Sequence, residues 1–171
     1  MYRILIIGGS GFIGTNAIEF YKKSNIMLNI DIKIPMLESH RPFWKEVDIC
    51  DYDSFMQAVT VFKPDYIIHL AARTDLDGKS VQDYDSNTTG VKNLMSIVKQ
   101  LDALKKIIIS SSKFIAKNGY TVKSQFDYCP HTVYGESKVI TEKNVWNNPP
   151  ACDWAIIRPT SIWGPHFSIP Y

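Results

Sequence analysis

Cysteine is scarce in this sequence, and long apolar runs are missing. The 171 residues include only Cys50, Cys129 and Cys152, whose spacing matches neither a metal site nor a redox motif. Their odd number and wide separation favour free thiols in a reducing compartment, so we expect a cytoplasmic protein. No apolar segment approaches the length of a membrane span, so we expect no membrane association.

Strong charge of either sign is also missing. Nineteen Lys and Arg residues against seventeen Asp and Glu residues give a formal net charge of +2. The basic residues are spread along the chain, which predicts no binding to nucleic acid. The four histidines are scattered, which predicts no metal site, and the absence of a G-x-S-x-G motif disfavours a serine hydrolase.

The first fourteen residues, MYRILIIGGSGFIG, hold the most informative pattern. The apolar run at 3–7 predicts a strand buried on both faces, and a helical pattern begins at about residue 12. Gly8, Gly11 and Gly14 have the G-x-x-G-x-x-G spacing, and Gly9 completes a G-x-G-x-x-G spacing. One such glycine turns the chain, one lets backbone N–H groups approach a pyrophosphate, and one lets the helix pack closely. We therefore predict a dinucleotide with its pyrophosphate at the helix N-terminus.

An acidic residue follows this unit at the distance that a ribose contact requires. Asp31 lies seventeen residues after Gly14, at the end of the predicted strand 26–31. A carboxylate there accepts hydrogen bonds from the adenosine ribose and repels a 2′-phosphate, which favours NAD over NADP. The alternative is that Asp31 only caps a turn.

The rest of the chain alternates apolar runs with helical patterns, which predicts one α/β domain with a doubly wound parallel sheet and helices on both faces. Within it, His69 is interpreted as a core residue rather than a base. Asn87 and Gly90 are poor helix formers in a helix interior, which predicts a close approach there. The predicted strands are 3–7, 26–31, 44–48, 65–72, 107–109 and 154–158, the helices 12–23, 52–62, 81–101 and 132–146, and the loops 35–43, 73–80 and 113–130.

Three polar residues in the C-terminal half of the chain are candidate catalytic residues. Tyr134 and Lys138 lie four residues apart and project from one helix face. An ammonium beside a phenol is expected to lower the phenol pKa towards neutrality. Ser112, at the end of the fifth strand, can bond a substrate oxygen. The alternatives are a salt-bridged helix face for the pair and an ordinary serine-rich turn at 110–112.

Together these motifs resemble the extended short-chain dehydrogenase/reductase superfamily, in its NAD-dependent epimerase/dehydratase family of nucleotide-sugar enzymes. The resemblance covers residues 2 to about 166 and includes GGSGFIG, HLAA at 69–72, NTTGVKNLM and RPTSIWGP at 158–165. It implies a Rossmann fold, an NAD cofactor and a catalytic set of Ser112, Tyr134 and Lys138. The residues that it places around NAD are Gly8, Gly11, Phe12, Ile13, Gly14, Asp31, Ile32, Asp48, Ile49, Leu70, Ala71, Ala72, Asn87, Ser110, Tyr134, Lys138, Pro159 and Ile162.

The resemblance further implies epimerisation of a nucleotide sugar by transient hydride transfer. Tyr134 takes the proton of a sugar hydroxyl, Lys138 holds the nicotinamide ribose, and Ser112 aligns the sugar oxygen. Lys113-Phe114 stands where 4,6-dehydratases of the family carry an acid pair, which favours epimerase or reductase chemistry over dehydration. The alternatives are a non-catalytic NAD-binding sensor or scaffold and an NAD-dependent reductase of a non-sugar carbonyl.

The family continues beyond the position of Tyr171 into a lobe that grips the sugar nucleotide. We therefore expect residues 1–171 to form the NAD-binding domain alone, either as a fragment or as a short protein that is inactive without that lobe. The resemblance also implies a homodimer through the helices near 81–101 and 132–146.

Overall fold

A six-stranded parallel sheet forms the centre of the computed structural model, which describes residues 1–167. Its strands are β1 (Arg3–Ile7), β2 (Ile26–Asp31), β3 (Trp44–Glu46), β4 (Tyr66–His69), β5 (Lys106–Ser110) and β6 (Asp153–Ile157). Their spatial order is β3-β2-β1-β4-β5-β6, and every neighbouring pair is parallel. The winding direction reverses between β3 and β4, which confirms the predicted doubly wound sheet.

Helices cover both faces of this sheet. They are α1 (Phe12–Tyr21), α2 (Tyr52–Phe62), α3 (Asp85–Val98) and α4 (Val133–Asn147). Alternate β1 side chains enter two separate cores, as the two-residue period of a strand requires. Ile4 and Ile6 pack with Ile18 of α1 on one face. Leu5 and Ile7 pack on the other face, in the core that α2, α3 and α4 supply.

The ends of β1 and β4 define the reversal point of the sheet. β1 lies between β2 and β4, so the loops that follow β1 and β4 leave the sheet in opposite directions. In open parallel sheets the crevice beyond these strand ends is where ligands bind. The glycine turn after Ile7 and the segment after His69 both lie at this crevice.

Several predicted boundaries are wrong. The predicted strand 65–72 ends at His69, because the N–H groups of Leu70 and Ala71 both turn to the Ile7 carbonyl. The predicted strand 44–48 ends at Glu46, and the predicted helix 12–23 ends at Tyr21. The predicted helix 81–101 is a 3-10 turn over 81–84 followed by α3.

The loop predicted at 35–43 contains a 3-10 turn, Glu38–Phe43, that the sequence pattern did not indicate. Its His40 is fully buried, and its Nε2 lies 2.6 Å from Oε1 of Glu19 on α1. The two residues are 21 positions apart. Their contact depends on how α1 packs, so local spacing does not predict it.

Candidate NAD and catalytic site

The glycine turn after β1 divides the three predicted glycine roles among three residues. Gly8 has φ +86°, and a Cβ there would lie 2.4 Å from the Ala71 nitrogen. A Cβ on Gly14 would lie 2.4 Å from the Cα of Gly9, so α1 packs directly on the turn. Gly11 meets nothing closer than 3.6 Å and is the N-cap of α1. Its open side leaves room for a ligand against the backbone.

The first turn of α1 presents N–H groups to this open side. Gly11 makes no side-chain cap, and the N–H groups of Phe12 and Ile13 have no acceptor among residues 1–167. Unpaired N–H groups at a helix N-terminus attract an anion. The geometry therefore fits the pyrophosphate of a dinucleotide.

Two side chains of β2 hold the turn in place. Asn29 is fully buried, accepts the Gly9 N–H at 2.9 Å and donates to Ser10 Oγ at 3.1 Å. Asp31 accepts the Ser10 N–H at 3.0 Å. The sequence reasoning missed Asn29, although a polar residue inside the apolar run IMLNID is a visible signal.

Asp31 lies beside the glycine turn, as a ribose ligand must. One carboxylate oxygen is bonded to Ser10, and the other accepts the Lys33 N–H at 2.9 Å. Asp31 therefore also makes the local contact expected if it capped a turn. The neighbouring Ile32 is 60% exposed, so its side chain is available at this edge.

Asp48 and Ile49 follow β3 at the same edge. The Asp48 side chain is exposed and accepts the Cys50 N–H at 2.8 Å. Ile49 is buried, and a Cβ on Gly90 would lie 2.5 Å from its Cδ1. This contact confirms the predicted close approach at Gly90. Ile49 therefore packs against α3, and Asp48 faces the solvent beside it.

Leu70, Ala71 and Ala72 run past the glycine turn at the end of β4. Leu70 and Ala71 donate to the Ile7 carbonyl at 2.7 and 2.9 Å, and the backbone of Ala71 contacts Gly8. His69 beside them is 1% exposed, which confirms it as a core residue. Burial and the Lys138 charge lower its imidazole pKa to about 3, so it is neutral at physiological pH.

Asn87 joins three segments from a fully buried position on α3. Its amide oxygen accepts the Arg73 N–H at 2.9 Å, and its nitrogen donates to the Arg73 carbonyl and to Ser137 Oγ, both at 2.9 Å. Thr141 donates to the Asn87 carbonyl at 2.6 Å. Asn87 therefore fixes α4 against α3 and against the loop after β4.

The structure brings the three predicted catalytic residues to one end of the sheet. Ser112 lies two residues beyond β5, where it caps a short 3-10 turn, rather than at the strand end as predicted. Tyr134 and Lys138 lie one turn apart on α4, whose N-cap is Thr132. Ser112, Tyr134 and Lys138 are 6%, 7% and 2% exposed. Buried polar groups of this kind are typical of a functional site.

The expected lowering of the Tyr134 pKa by Lys138 is not found. Burial raises the pKa of the Tyr134 phenol, and the Ser112 hydroxyl opposes that change. The Lys138 Nζ donates to the Ser110 carbonyl at 3.0 Å instead of to the phenol. Burial lowers the pKa of Lys138 to about 8, and the Glu142 carboxylate acts in the opposite direction.

Aromatic rings surround the Tyr134 phenol. Its ring centroid lies 5.6 Å from that of Phe114 and 6.0 Å from that of Tyr84, which is fully buried. Phe114 in turn stacks on His131 with a 6.0 Å centroid separation. The sequence reasoning missed both contacts of Tyr134, since they join residues 20 and 50 positions apart.

The segment after β6 returns to the start of α1. The Pro159 carbonyl accepts the Lys113 N–H at 3.0 Å, which places this segment beside Ser112. Further along, Asn16 donates to the Pro165 carbonyl at 2.9 Å, and the rings of Phe167 and Phe12 are 4.8 Å apart. Ile162 is 38% exposed on this path. The predicted residues thus follow one edge from Asp31 to Tyr134.

Two open grooves lie away from this row of residues. One, of about 540 Å³, separates α4 from the loop at 126–130, and the other, of about 330 Å³, lies beside residues 115–122. No helix within residues 1–167 is long and apolar enough to cross a membrane. In the same part of the chain, no three His, Cys, Asp or Glu side chains form a metal-binding group.

The chain is similar to known proteins over nearly its whole length. It is 31% identical over 173 residues to an N-acetyl-alpha-D-glucosaminyl-diphospho-ditrans,octacis-undecaprenol 4-epimerase of Escherichia coli O157:H7, covering 95% of this chain and 49% of the relative. It is 28% identical to a 3-beta-hydroxysteroid dehydrogenase of Mycolicibacterium neoaurum, covering 95% of this chain and 48% of that protein. The chain thus spans about half the length of the curated relatives it matches.

Structural comparison gives the same result. The Bordetella bronchiseptica enzyme WbmG, solved in complex with NAD and UDP, superposes with a TM-score of 0.78 at 25% identity, over 92% of this chain and 52% of WbmG. The model of the NAD dependent epimerase/dehydratase family matches residues 4–170. The predicted cofactor agrees with this family description. The chain therefore belongs to the NAD dependent epimerase/dehydratase family.

Proposed function

We propose that this protein binds NAD along the carboxyl edge of its sheet and epimerises a hydroxyl-bearing carbon of a nucleotide sugar. The observation that carries the proposal is the meeting of buried Ser112, Tyr134 and Lys138 at the edge that also holds the glycine turn. Two similar proteins support the proposal, since the Escherichia coli relative is a 4-epimerase and WbmG was solved in complex with NAD and UDP.

The cofactor half of the proposal assigns a role to each end of the edge. The N–H groups at the start of α1 receive the pyrophosphate, and Asp31 receives the adenosine ribose hydroxyls. Lys138, whose Nζ donates to the Ser110 carbonyl at the other end, would hold the nicotinamide ribose. NAD supplies the chemistry of accepting a hydride and returning it.

The substrate half assigns proton transfer to Tyr134 and orientation to Ser112. In the ligand-free protein Tyr134 is a neutral phenol, because burial raises its pKa. The proposal therefore requires its pKa to fall when the site is filled, and the Lys138 ammonium supplies a favourable field. Phe114 packs on the Tyr134 ring where an acid would serve dehydration, which supports epimerisation.

A titration with NAD⁺ followed by a turnover assay tests both halves. The wild-type chain is expected to bind NAD⁺. A version extended by the family's C-terminal lobe is expected to convert UDP-glucose to its epimer without net NADH absorbance, since the hydride is returned. Tyr134→Phe is expected to retain NAD⁺ binding and to lose at least about 100-fold in turnover. Tyr52→Phe, at the first residue of α2, is the matched control, because the Tyr52 hydroxyl contacts only the exposed Gln100 side chain.

The outcomes separate the candidate functions. Net NADH formation with a non-sugar alcohol would support a reductase, which the similarity to a hydroxysteroid dehydrogenase favours as the second candidate. NAD⁺ binding without turnover of any nucleotide sugar in the version that carries the lobe would support a non-catalytic sensor or scaffold. Failure to bind NAD⁺ would contradict the whole proposal.

We propose further that residues 1–171 act as the NAD-binding domain of a cytoplasmic homodimer. The three cysteines are free, which supports a reducing compartment.

The exposed positions of α3 and α4 are polar, so the apolar contact of the proposed dimer must come from half-buried residues such as Ile140. Glu136 and Lys143 flank Ile140 and pair with each other in an antiparallel α4–α4 contact. Sedimentation of an Ile140→Lys variant, which should be monomeric, tests this surface.

A further inference from the structure

A buried ion pair lies behind the catalytic residues. Glu142 is fully buried on α4, one turn beyond Lys138. Its two carboxylate oxygens accept hydrogen bonds from Arg158 Nε at 2.9 Å and from Arg158 Nη2 at 2.7 Å. A two-point contact of this kind fixes both side chains in one orientation. Burying both charges costs desolvation energy that can cancel the attraction between them. Stabilisation of the fold alone therefore does not explain the pair.

Arg158 connects this carboxylate to two other parts of the site. It directly precedes Pro159, whose carbonyl accepts the Lys113 N–H next to Ser112. Its NH2 group also donates to the Gln125 carbonyl at 2.7 Å, and its guanidinium lies 5.8 Å from the centroid of the Tyr128 ring. The ion pair therefore contacts the segment after β6, the loop at 125–128 and α4 together.

We propose that Glu142 is a positioning residue of the site, which orders Lys138 and, through Arg158, residues 159–162 around a single cofactor position. This inference rests on the proposed function. The hydrogen bonds of Glu142 go to Arg158 rather than to Tyr134 or Lys138, so Glu142 acts on Lys138 through its charge and on residues 159–162 through Arg158.

The charges around Lys138 support this role. The charged group that acts on it is Glu142 on its own helix. His69 on β4 also faces Lys138 but is neutral, because burial and the Lys138 charge lower the His69 pKa to about 3. Burial favours the neutral amine of Lys138, and the Glu142 carboxylate favours the ammonium. Glu142, one turn from Lys138 on α4, thus favours the ammonium form of the amine that donates to the Ser110 carbonyl.

The experiment uses the full 171-residue chain and measures two quantities. Competitive acetylation with mass spectrometry gives the pH midpoint of Lys138 in the ligand-free protein, and titration calorimetry gives the NAD⁺ affinity. In Glu142→Gln we expect the midpoint to fall by about one pH unit and the NAD⁺ affinity to fall about tenfold. Glu142→Asp keeps the charge and should restore the midpoint, although its shorter side chain leaves the affinity reduced.

Glu38→Gln is the matched control, because it removes the carboxylate of an exposed Glu38–Arg41 pair and should change neither quantity. If Glu142→Gln does not fold by circular dichroism, Arg158→Lys replaces it, with an unchanged midpoint and a weakened NAD⁺ affinity expected. Values for Glu142→Gln equal to those of Glu38→Gln would overturn the inference. Equal midpoints for Glu142→Asp and Glu142→Gln would also overturn it, since shape alone would then matter. Failure of wild type to bind NAD⁺ contradicts the proposed function, while the midpoint still tests Glu142.

Discussion

Single residues at the crevice combine a structural role with a proposed ligand-binding role. Gly8 turns the chain with a positive φ, and it also lets Ala71 approach the turn. Asp31 accepts the Ser10 and Lys33 N–H groups, and its carboxylate is the proposed ligand of a ribose. The sequence predicted the roles of Gly8 and Asp31, because few residue types can occupy a positive-φ turn or accept hydrogen bonds from a ribose. It did not predict the neighbours that each residue contacts.

Substitution of Gly8 separates backbone strain from steric clash. Gly8→Ala is expected to lower the free energy of unfolding by about 3 kcal/mol, because a Cβ would meet the Ala71 backbone at 2.4 Å and φ is +86°. Gly119 has φ +80° with nothing within 4 Å, so Gly119→Ala should cost only about 1 kcal/mol. Urea denaturation measures both values, and equal losses would show that the clash is relieved.

Substitution of Asp31 tests the cofactor preference. Asp31→Asn keeps an acceptor for the Ser10 N–H but removes the charge that repels a 2′-phosphate. We expect the ratio of NAD⁺ to NADP⁺ affinity to fall about tenfold, because about 1.4 kcal/mol of discrimination is lost. Calorimetric titration of both cofactors gives the ratio. Asp53→Asn on α2 is the control, and an unchanged ratio in Asp31→Asn would contradict the assignment.

At the scale of elements, α3 and α4 are joined by a buried polar network. Asn87, Ser137 and Thr141 bond to one another across the two helices, and Asn87 also holds the loop after β4. A poor helix former at position 87 indicated a special contact but not its partner. The helix that carries Tyr134 and Lys138 is therefore oriented by polar contacts as well as by the core.

Removal of the Asn87 side chain should weaken this helix pair. Asn87→Ala deletes four side-chain hydrogen bonds at a fully buried position. The Arg73 carbonyl loses the Asn87 donor, while the Arg73 N–H keeps Ser86 Oγ and Ser137 Oγ keeps the Tyr134 carbonyl. We expect a loss of about 3 kcal/mol in unfolding free energy. Asn144→Ala removes one 3.3 Å bond to the Thr88 carbonyl in the same interface and should cost less than about 1 kcal/mol. Denaturant titration of both variants would contradict this assignment if the two losses were equal.

At the scale of the whole molecule, the sheet collects residues that are far apart in sequence. The parallel strands all end at one edge, so the turns after β1, β2, β4 and β5 meet there. This arrangement also buries ionisable groups, among them His69 inside the sheet and Lys138 in the candidate site. Stability of the molecule is therefore linked to the protonation of His69.

The folded protein should lose stability as the pH falls because His69 is buried in its neutral form. Burial lowers its pKa from 6.5 to about 3, so between these values the unfolded state binds a proton that the folded state does not. The contribution is complete above about pH 6.5 and declines towards pH 3, by up to about 1.4 kcal/mol per pH unit. Unfolding free energies of His69→Leu should depend less steeply on pH in this window. The control is His166→Gln at an exposed position, which should leave the dependence of the unfolding free energy on pH as in wild type. The same dependence in His69→Leu as in wild type would contradict the prediction.

By itself the sequence determined the succession of strands and helices along the chain, the glycine turn, the acidic residue at the end of β2 and the Tyr134–Lys138 pair. Each of these depends on local spacing, which fixes backbone conformation and helix faces. Only the tertiary structure decided that β4 ends at His69, that Asn29 holds the turn, and that Glu142 pairs with Arg158 behind Lys138. These features join residues 16 or more positions apart, so they depend on how the strands and helices pack. The raised pKa of Tyr134 also belongs to this second group, because burial is a property of the folded chain.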